Sequence, residues 1–508
     1  MEREFDRTAA LAQLESGKPT LVWRKLVADT ETPVGAALKL FEDGRGDFLL
    51  ESVEGGETRG RYSLLGLDPD LVFRASGTAS EINAAWQVDR EAFAPLPGDG
   101  LKELRRLVES CRCDVPEALP KALACIVGYF GYETIGLVEK LPRAPQSPLE
   151  LPDMLFVRPS VVLVFDRLSD ELFCVAPVWP GQTDAEQAIE RAGERIDETL
   201  RRLAASAPAA PFAADLPEPV QTPVMAARDY EAMALRAKQY IEAGDIFQVV
   251  LAQRFTCDFP LPPLSLYRAL RRINPSPFLY FLDLPGFALI GSSPEILVRV
   301  RADADGNPEV TIRPIAGTRP RGKTPVEDKA NEVSLLADPK ERAEHLMLLD
   351  LGRNDVGRVA AAGTVEVTDS YTIERYSHVM HIVSNVIGKL DTRRADAIDA
   401  VFAGFPAGTV SGAPKVRACE IIASLEPETR GPYAGGVGYF APDGSVDSCI
   451  VLRTGLLKDG VLHVQAGAGI VADSDPASEQ RECEAKSGAL FAAAREAIRV
   501  AGEPGFGQ

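Results

Sequence analysis

Four glutamates in two distant stretches are spaced to work together. Glu341 and Glu344 stand three residues apart in DPKERAEHLMLLDLGRND, and Glu479 and Glu482 three apart in DPASEQRECEAKSGALF. Both stretches read as helices, and residues three apart share a helix face, so each can aim two carboxylates at one point. Converging carboxylates suit a hard divalent cation: Mg²⁺ takes oxygen ligands, keeps several waters and is completed by an anionic substrate. The plainer alternative is that Asp338 and Glu341 form a capping box while Glu344 and Glu479 are solvated helix-face charges.

Other segments hold chemically useful residues. In GDIFQVVLAQR, Gln248 and Arg254 fall on one face of a strand. GSSPE ends a strand with Glu295, a general acid if burial raises its pKa and otherwise a turn-capping carboxylate. RPIAGTRPRG puts Arg313, Arg319 and Arg321 around Gly317 and Gly322, a plausible anion-binding strand end. His378 and His381 on one strand point to opposite faces, so one catalytic and one structural histidine fit better than a shared metal. FPAGTVSGAPK, with Thr409, reads as a glycine-rich segment opening a helix; its helix-start amides could hold a carboxylate, but it has neither nucleotide-binding glycine pattern. Arg453 offers a planar fork to a carboxylate, and Gly467-Ala468-Gly469 offers backbone N–H groups. Lys486, four residues after Glu482, either bridges to it or meets a metal-bound anion.

The elements that must position these groups alternate without a strict βαβ rhythm, which argues for an α+β fold. Residues 1–20 read as a short helix before a strand at 21–28. Strands are expected at 48–52, 61–67 and 71–77, the last two as neighbours, then at 123–133 and as a hairpin over 160–178. A surface helix follows at 184–204. The Ala/Pro-rich stretch 204–224 reads as a linker dividing an N-terminal region (1–203) from a second unit (225–495), with a tail at 496–508. The second unit opens with a helix (227–243) and a strand (247–256). FLYFLDL and FALIGSSPEILVRV read as consecutive strands with a turn at Pro285-Gly286, and EVTIRPIAG as one more.

With 508 residues and a net charge of −19, the chain should repel nucleic acid and anionic membrane. No run is long and apolar enough for a membrane span, and no signal-peptide pattern opens the sequence. A cytoplasmic protein with free thiols is the expectation.

Taken in order over roughly residues 225–490, GDIFQVVLAQR, GSSPE, RPIAGTRPRG, DPKERAEHLMLLDLGRND, YSHVMH, FPAGTVSGAPKVRA, PYAGGVGYF, LRTG and QAGAGIV closely resemble the chorismate-utilising enzymes, and among them the anthranilate synthase component I group. LLES at Leu49–Ser52 extends the likeness into the first half. The resemblance implies two large, mostly antiparallel β-sheets packed in a sandwich with helices outside, the 1–203 region being the regulatory part.

The implied reaction is chorismate plus ammonia giving anthranilate and pyruvate, the first step of tryptophan synthesis. The resemblance implies Mg²⁺ on Glu344 and Glu482, with Glu341 and Glu479 nearby, and Glu295 protonating the leaving C4 hydroxyl. His381 would assist pyruvate elimination. Tyr433, Arg453 and the amides of Gly467, Ala468 and Gly469 would hold the enolpyruvyl carboxylate, with Gly317, Thr318, Thr409 and Lys486 lining the site. Water-using relatives carry lysine where this chain has Gln248, and glutamine is no base, which suits ammonia as nucleophile. Ala316 stands where para-aminating relatives carry lysine.

Family members often bind L-tryptophan as inhibitor through LLES and a segment like NPSPF. The implied site is Glu51, Ser52, Asn274, Pro275, Ser276, Pro277 and Phe278. Ala485 stands where the family commonly has asparagine. No glutaminase module is evident, so ammonia from glutamine would need a glutamine amidotransferase subunit (component II), in an expected heterotetramer. The rivals are aminodeoxychorismate synthase component I, disfavoured by Ala316, and a non-catalytic ligand-sensing subunit, disfavoured because all four glutamates are present.

Overall fold

The structure, a computed structural model, describes residues 4–54, 58–181, 184–207, 216–376 and 379–503. Ser377 and His378 therefore lie outside the described residues. Two twelve-stranded sheets form the body. The first runs Thr20–Val27, Glu171–Val178, Val161–Asp166, Thr58–Leu67, Phe48–Glu54, Phe278–Leu284, Phe287–Ser293, Thr454–Lys458, Val461–Ile470, Gln248–Asp258 and Thr222–Pro223, with Gly412–Ala413 paired to Gln248–Asp258. The second runs Ile315–Pro320, Val379–Lys389, Pro308–Ile312, Ile296–Ala302, Val446–Ile450, Gly436–Phe440, Ile126–Phe130, Met154–Arg158, Leu71–Ser76, Ala79–Asn83 and Ala94–Pro95, with Glu366–Arg375 along Val379–Lys389. This is the expected α+β sandwich with helices outside.

Residues before and after the Ala/Pro-rich stretch contribute strands to both sheets. The Phe48–Glu54 strand pairs with Phe278–Leu284 (Glu51 opposite Leu279), and Ile126–Phe130 pairs with Gly436–Phe440. The main apolar core draws on both stretches, from Leu49, Phe130 and Phe156 to Phe255, Leu270 and Phe440. Burying a continuous apolar layer between two sheets is the main favourable term for such a fold.

Three strand expectations need correction. The strands at 61–67 and 71–77 do not pair: Thr58–Leu67 belongs to the first sheet and Leu71–Ser76 to the second. Asp68, in the left-handed region at φ 48°, and Pro69 turn the chain across. FALIGSSPEILVRV also crosses: Phe287–Ser293 lies in the first sheet and Ile296–Ala302 in the second. EVTIRPIAG is two strands, Pro308–Ile312 and Ile315–Pro320, both paired to Val379–Lys389. Pro314 has no N–H to give a ladder, so a break there is expected.

The two glutamate pairs do stand on helices. Pro339–Gly357 is capped by Asp338, whose carboxylate accepts the Lys340 and Glu341 N–H groups. Pro476–Ala501 is capped by Asp475; it packs on the Pro263–Ile273 and Ala227–Glu242 helices and on the Val461–Ile470 strand. FPAGTVSGAPK does not open a helix directly. It forms a short 3₁₀ turn, Gly408–Val410, and a two-residue strand before the helix Lys415–Leu425.

Candidate active site

A cavity of about 510 Å³ lies between the sheets, closed on one side by the two glutamate-bearing helices. Gln248, Glu295, Gly317, Thr318, Glu341, Glu344, His381, Thr409, Tyr433, Arg453, Gly467, Gly469, Glu479, Glu482 and Lys486 all line it. Ala468 does not. Side chains alternate along a strand, so Gly467 and Gly469 face the cavity while the Ala468 methyl is fully buried on the other side.

Glu295 sits where the chain passes from one sheet to the other, which buries its carboxyl. Burial pushes its pKa up to about 8, against the pull of the Thr409 hydrogen bond and the Arg453 charge. The Thr409 hydroxyl donates to Glu295 Oε1 at 2.8 Å. A carboxyl in this state carries a proton near neutral pH and can give it up, as a general acid must.

His381 donates from Nδ1 to the Gly317 carbonyl at 2.8 Å. The proton on Nδ1 leaves Nε2 bare. Burial lowers the pKa of His381, so the ring is a neutral base. Its ring meets that of Tyr376, the first residue of YSHVMH, edge-on at 5.4 Å, a contact that sequence reading missed. Gly317 adopts φ 69°, and a Cβ there would lie 3.0 Å from Leu335 and 3.1 Å from Glu341 Oε2. A side chain there would be strained and crowded, which favours glycine.

Arg453 is held at φ 50°, rare for a residue with a side chain. Burial lowers its pKa, against the pull of Tyr376 and Glu295. Among the described residues no carboxylate forms an ion pair with it, so a half-buried guanidinium faces the cavity ready for an anion. Arg313, Arg319 and Arg321 behave otherwise. They pair with Glu374, with Asp338 and Glu341, and with Asp328, so the proposed anion-binding strand end is already neutralised.

The four glutamates face one cavity from the starts of two helices. Burial and the neighbouring Glu341 raise the Glu344 pKa, opposed by a hydrogen bond from Gln248 and by Lys486 and Lys340. Glu341 meets Arg319 at 3.0 Å and Glu482 meets Lys486 at 2.7 Å. Among the described residues no three His, Cys, Asp or Glu side chains come together as a metal cluster. The donor set is nonetheless all oxygen and the like charges are crowded. Mg²⁺ is ordinarily held by one or two carboxylates plus water and substrate, not by a complete protein cage, so these residues fit it.

Lys486 also donates to the Gly467 carbonyl at 3.0 Å. Arg254 shares the strand face of Gln248 but pairs with Glu428 and approaches His463. Arg430, which sequence reading did not single out, donates to the Val410 and Val250 carbonyls and to Glu426. Its guanidinium lies 5.6 Å from the Tyr433 ring, so it ties together three walls of the cavity.

The chorismate binding enzyme family matches residues 48–492. The chain belongs to that family. Anthranilate synthase component 1 of Cereibacter sphaeroides is 52% identical over 498 residues, covering 97% of this chain and 98% of the relative. The Pseudomonas putida protein of the same name is 46% identical over 486 residues, covering 92% and 93%. The crystal structure of anthranilate synthase component I from Streptococcus pneumoniae matches with a TM-score of 0.75 at 35% identity, over 85% of this chain and 92% of that one. The menaquinone-specific isochorismate synthase of Escherichia coli shares the fold, with a TM-score of 0.69 at 18% identity, over 96% of this chain and 99% of that one. Within the family, this chain groups with the component 1 proteins.

A second cavity of about 480 Å³ also lies between the sheets. Glu51, Ser52, Pro277 and Phe278 line it, whereas Asn274, Pro275 and Ser276 do not. Ser276 is buried, and the Asn274 carbonyl accepts the Ser292 hydroxyl, so this part of NPSPF supports the wall from behind. Burial alone would push the Glu51 pKa up, but Arg271, Tyr267 and Arg167 hold it below its ordinary value. Tyr267 and Arg271 come from one turn of the Pro263–Ile273 helix and Arg167 from a separate segment. Pro294 and Ile315 line both cavities.

Proposed function

We propose that this protein converts chorismate and ammonia to anthranilate and pyruvate. The observation that carries the reading is the polarity of the cavity: four glutamates at one end, in the wall an Arg453 with no ion pair among the described residues, and a protonated Glu295 held by Thr409. Chorismate carries two carboxylates and a hydroxyl leaving group, and the cavity supplies a partner for each.

Arg453, with Tyr433 and the strand at Gly467 and Gly469, binds and orients the enolpyruvyl carboxylate. Glu295 gives its proton to the departing C4 oxygen, which leaves as water when ammonia bonds to C2. Gln248 cannot deprotonate water, and Ala316 puts no amine in the site; both features favour ammonia and the ortho product. The ammonium formed at C2 loses a proton to water; His381, with Nε2 bare, takes the C2 proton as the C3–O bond breaks, leaving the aromatic ring, and the released enolpyruvate takes a proton from water to become pyruvate. Glu344 and Glu482, with Glu341 and Glu479 close by, would hold Mg²⁺, which when bound would supply Lewis-acid charge to the ring carboxylate.

Ammonia from glutamine would come from a separate glutamine amidotransferase subunit. The second cavity would take L-tryptophan as feedback inhibitor. The competing reading, para-amination to aminodeoxychorismate, has its counter-argument at Ala316. The test is the purified chain with chorismate, Mg²⁺ and ammonium at about pH 8, followed by anthranilate fluorescence. A fluorescent product lost in Glu344→Ala supports the assignment; chorismate consumed without fluorescence overturns it in favour of another product.

A further inference from the structure

Hydrogen bonds fix the His381 ring at one end. Nδ1 donates to the Gly317 carbonyl at 2.8 Å, and the Thr318 hydroxyl stands 3.2 Å from the same nitrogen. Both contacts meet Nδ1, so neither sets the tilt at which Nε2 enters the active cavity. The edge-on contact with Tyr376 at 5.4 Å supplies the missing constraint, since paired rings hold a preferred tilt.

Tyr376 is itself held at both ends. It follows the Glu366–Arg375 strand; its backbone N–H donates to the Val379 carbonyl, and its own carbonyl accepts from Arg321 Nη1, each at 2.8 Å. The phenol hydroxyl donates to Glu374 Oε2 at 2.9 Å, and Glu374 is in turn paired with Arg313. Glu374 also stands opposite His381 across the two strands, so the ring, its anchor and the histidine belong to one strand pair. Burial and Glu374 push the phenol pKa up, so Tyr376 stays neutral and moves no proton. It is buried and lines the second cavity but not the active one, which places it behind His381 and away from the substrate.

We propose that Tyr376 is a positioning residue for the second chemical step: it aims His381 Nε2 at the C2–H of the aminated ring. The proposal rests on the chorismate-to-anthranilate reading. In the first step ammonia bonds to C2 and the C4 oxygen leaves as water with the Glu295 proton; His381 is not used. In the second, Nε2 takes the C2 proton, the C–H electron pair forms the last ring double bond, and the C3–O bond breaks to release enolpyruvate. A tilted imidazole slows this step alone. Aminated ring that still carries its enolpyruvyl group then builds up and escapes.

Tyr376→Leu removes the ring, whereas Tyr376→Phe keeps it and gives up only the hydroxyl. Chorismate loss and anthranilate gain are followed together with the purified chain, ammonium and Mg²⁺, and the aminated intermediate is identified by mass. The parent should form anthranilate in equal amount to the chorismate lost. Tyr376→Leu should cut kcat for anthranilate about ten-fold or more, because a base out of line by a fraction of an ångström is a poor one. Its KM for chorismate should stay within about two-fold of the parent's, and chorismate loss should outrun anthranilate gain. Tyr376→Phe should bring the two back to near equality. If Tyr376→Leu fails to fold, Tyr376→Met, unbranched and able to fill the gap, is judged by the same ratio. Equal chorismate loss and anthranilate gain in the ringless variant, whether both are slowed or both match the parent, overturns the proposal. If the parent makes no anthranilate, the functional reading falls and the proposal with it.

Discussion

Thr409 donates its hydroxyl to Glu295 across 2.8 Å, and this bond works against the burial that keeps the carboxyl protonated. The two opposing influences can be separated by mutation. With saturating ammonia, kcat/KM for chorismate should fall as pH rises through about 8, because Glu295 loses the proton it must give. Thr409→Val removes a bond that favours the charged form, so the alkaline limb should move to higher pH. A limb that stays put or moves down would dissociate Glu295 from the acid role. Glu295→Gln should lose at least about a hundred-fold in kcat at any pH.

The same group makes stability depend on pH. Its folded pKa, about 8, lies above the ordinary 4.5, so the folded state holds a proton that the unfolded chain releases. Its contribution is complete below pH 4.5 and is lost as pH rises through about 8. Glu295→Gln should be more stable than the parent at alkaline pH, by on the order of 2 kcal/mol, and show a flatter profile. Urea midpoints for both proteins on either side of this window check it; parallel profiles would sink it.

Arg453→Lys keeps the charge but loses the planar fork. KM for chorismate should rise about 10–100-fold, the worth of one charge-assisted hydrogen-bonded contact. The thermal midpoint should move little, since no carboxylate among the described residues depends on this guanidinium. A large fall in midpoint with unchanged KM would make Arg453 structural.

At Gly469 an added Cβ would come 2.5 Å from Gln248 Nε2. Because the clash is with a side-chain end, Gly469→Ala should fold. It should push Gln248 away from Glu344 and cost about ten-fold in kcat/KM. Parent-like kinetics would show that the position of Gln248 is not needed.

Millimolar L-tryptophan should inhibit the parent. Ser52→Phe narrows the second cavity from its edge and should abolish that inhibition while leaving uninhibited activity intact. Inhibition by tryptophan that survives Ser52→Phe would move the effector site elsewhere.

The helices under both glutamate pairs, and the strand that carries Gln248, were legible because their spacing is local. Glu295 was visible as a residue but not as a buried one. Its protonation comes from a chain that changes sheets at Pro294, and nothing in GSSPE marks a crossing as distinct from a strand continuing. The arginine-rich RPIAGTRPRG misled for the opposite reason: its charges are neutralised by Glu374, Asp338, Glu341 and Asp328, acids that only folding brings near. Arg430 escaped notice because two of its partners are main-chain carbonyls of distant strands and turns, which leave no trace in side-chain pattern. The role of Tyr376 was not legible, since a ring set edge-on to His381 requires knowing the bulged register of two strands.

The pairing of Glu51 with Leu279, and of Ile126–Phe130 with Gly436–Phe440, has a practical consequence. A peptide bond cut in the Ala/Pro-rich stretch would sever the chain without separating the pieces, which remain sewn together along two sheets. Neither fragment made alone would have a complete sheet to fold upon, so this polypeptide should tolerate a nick there far better than the loss of either half.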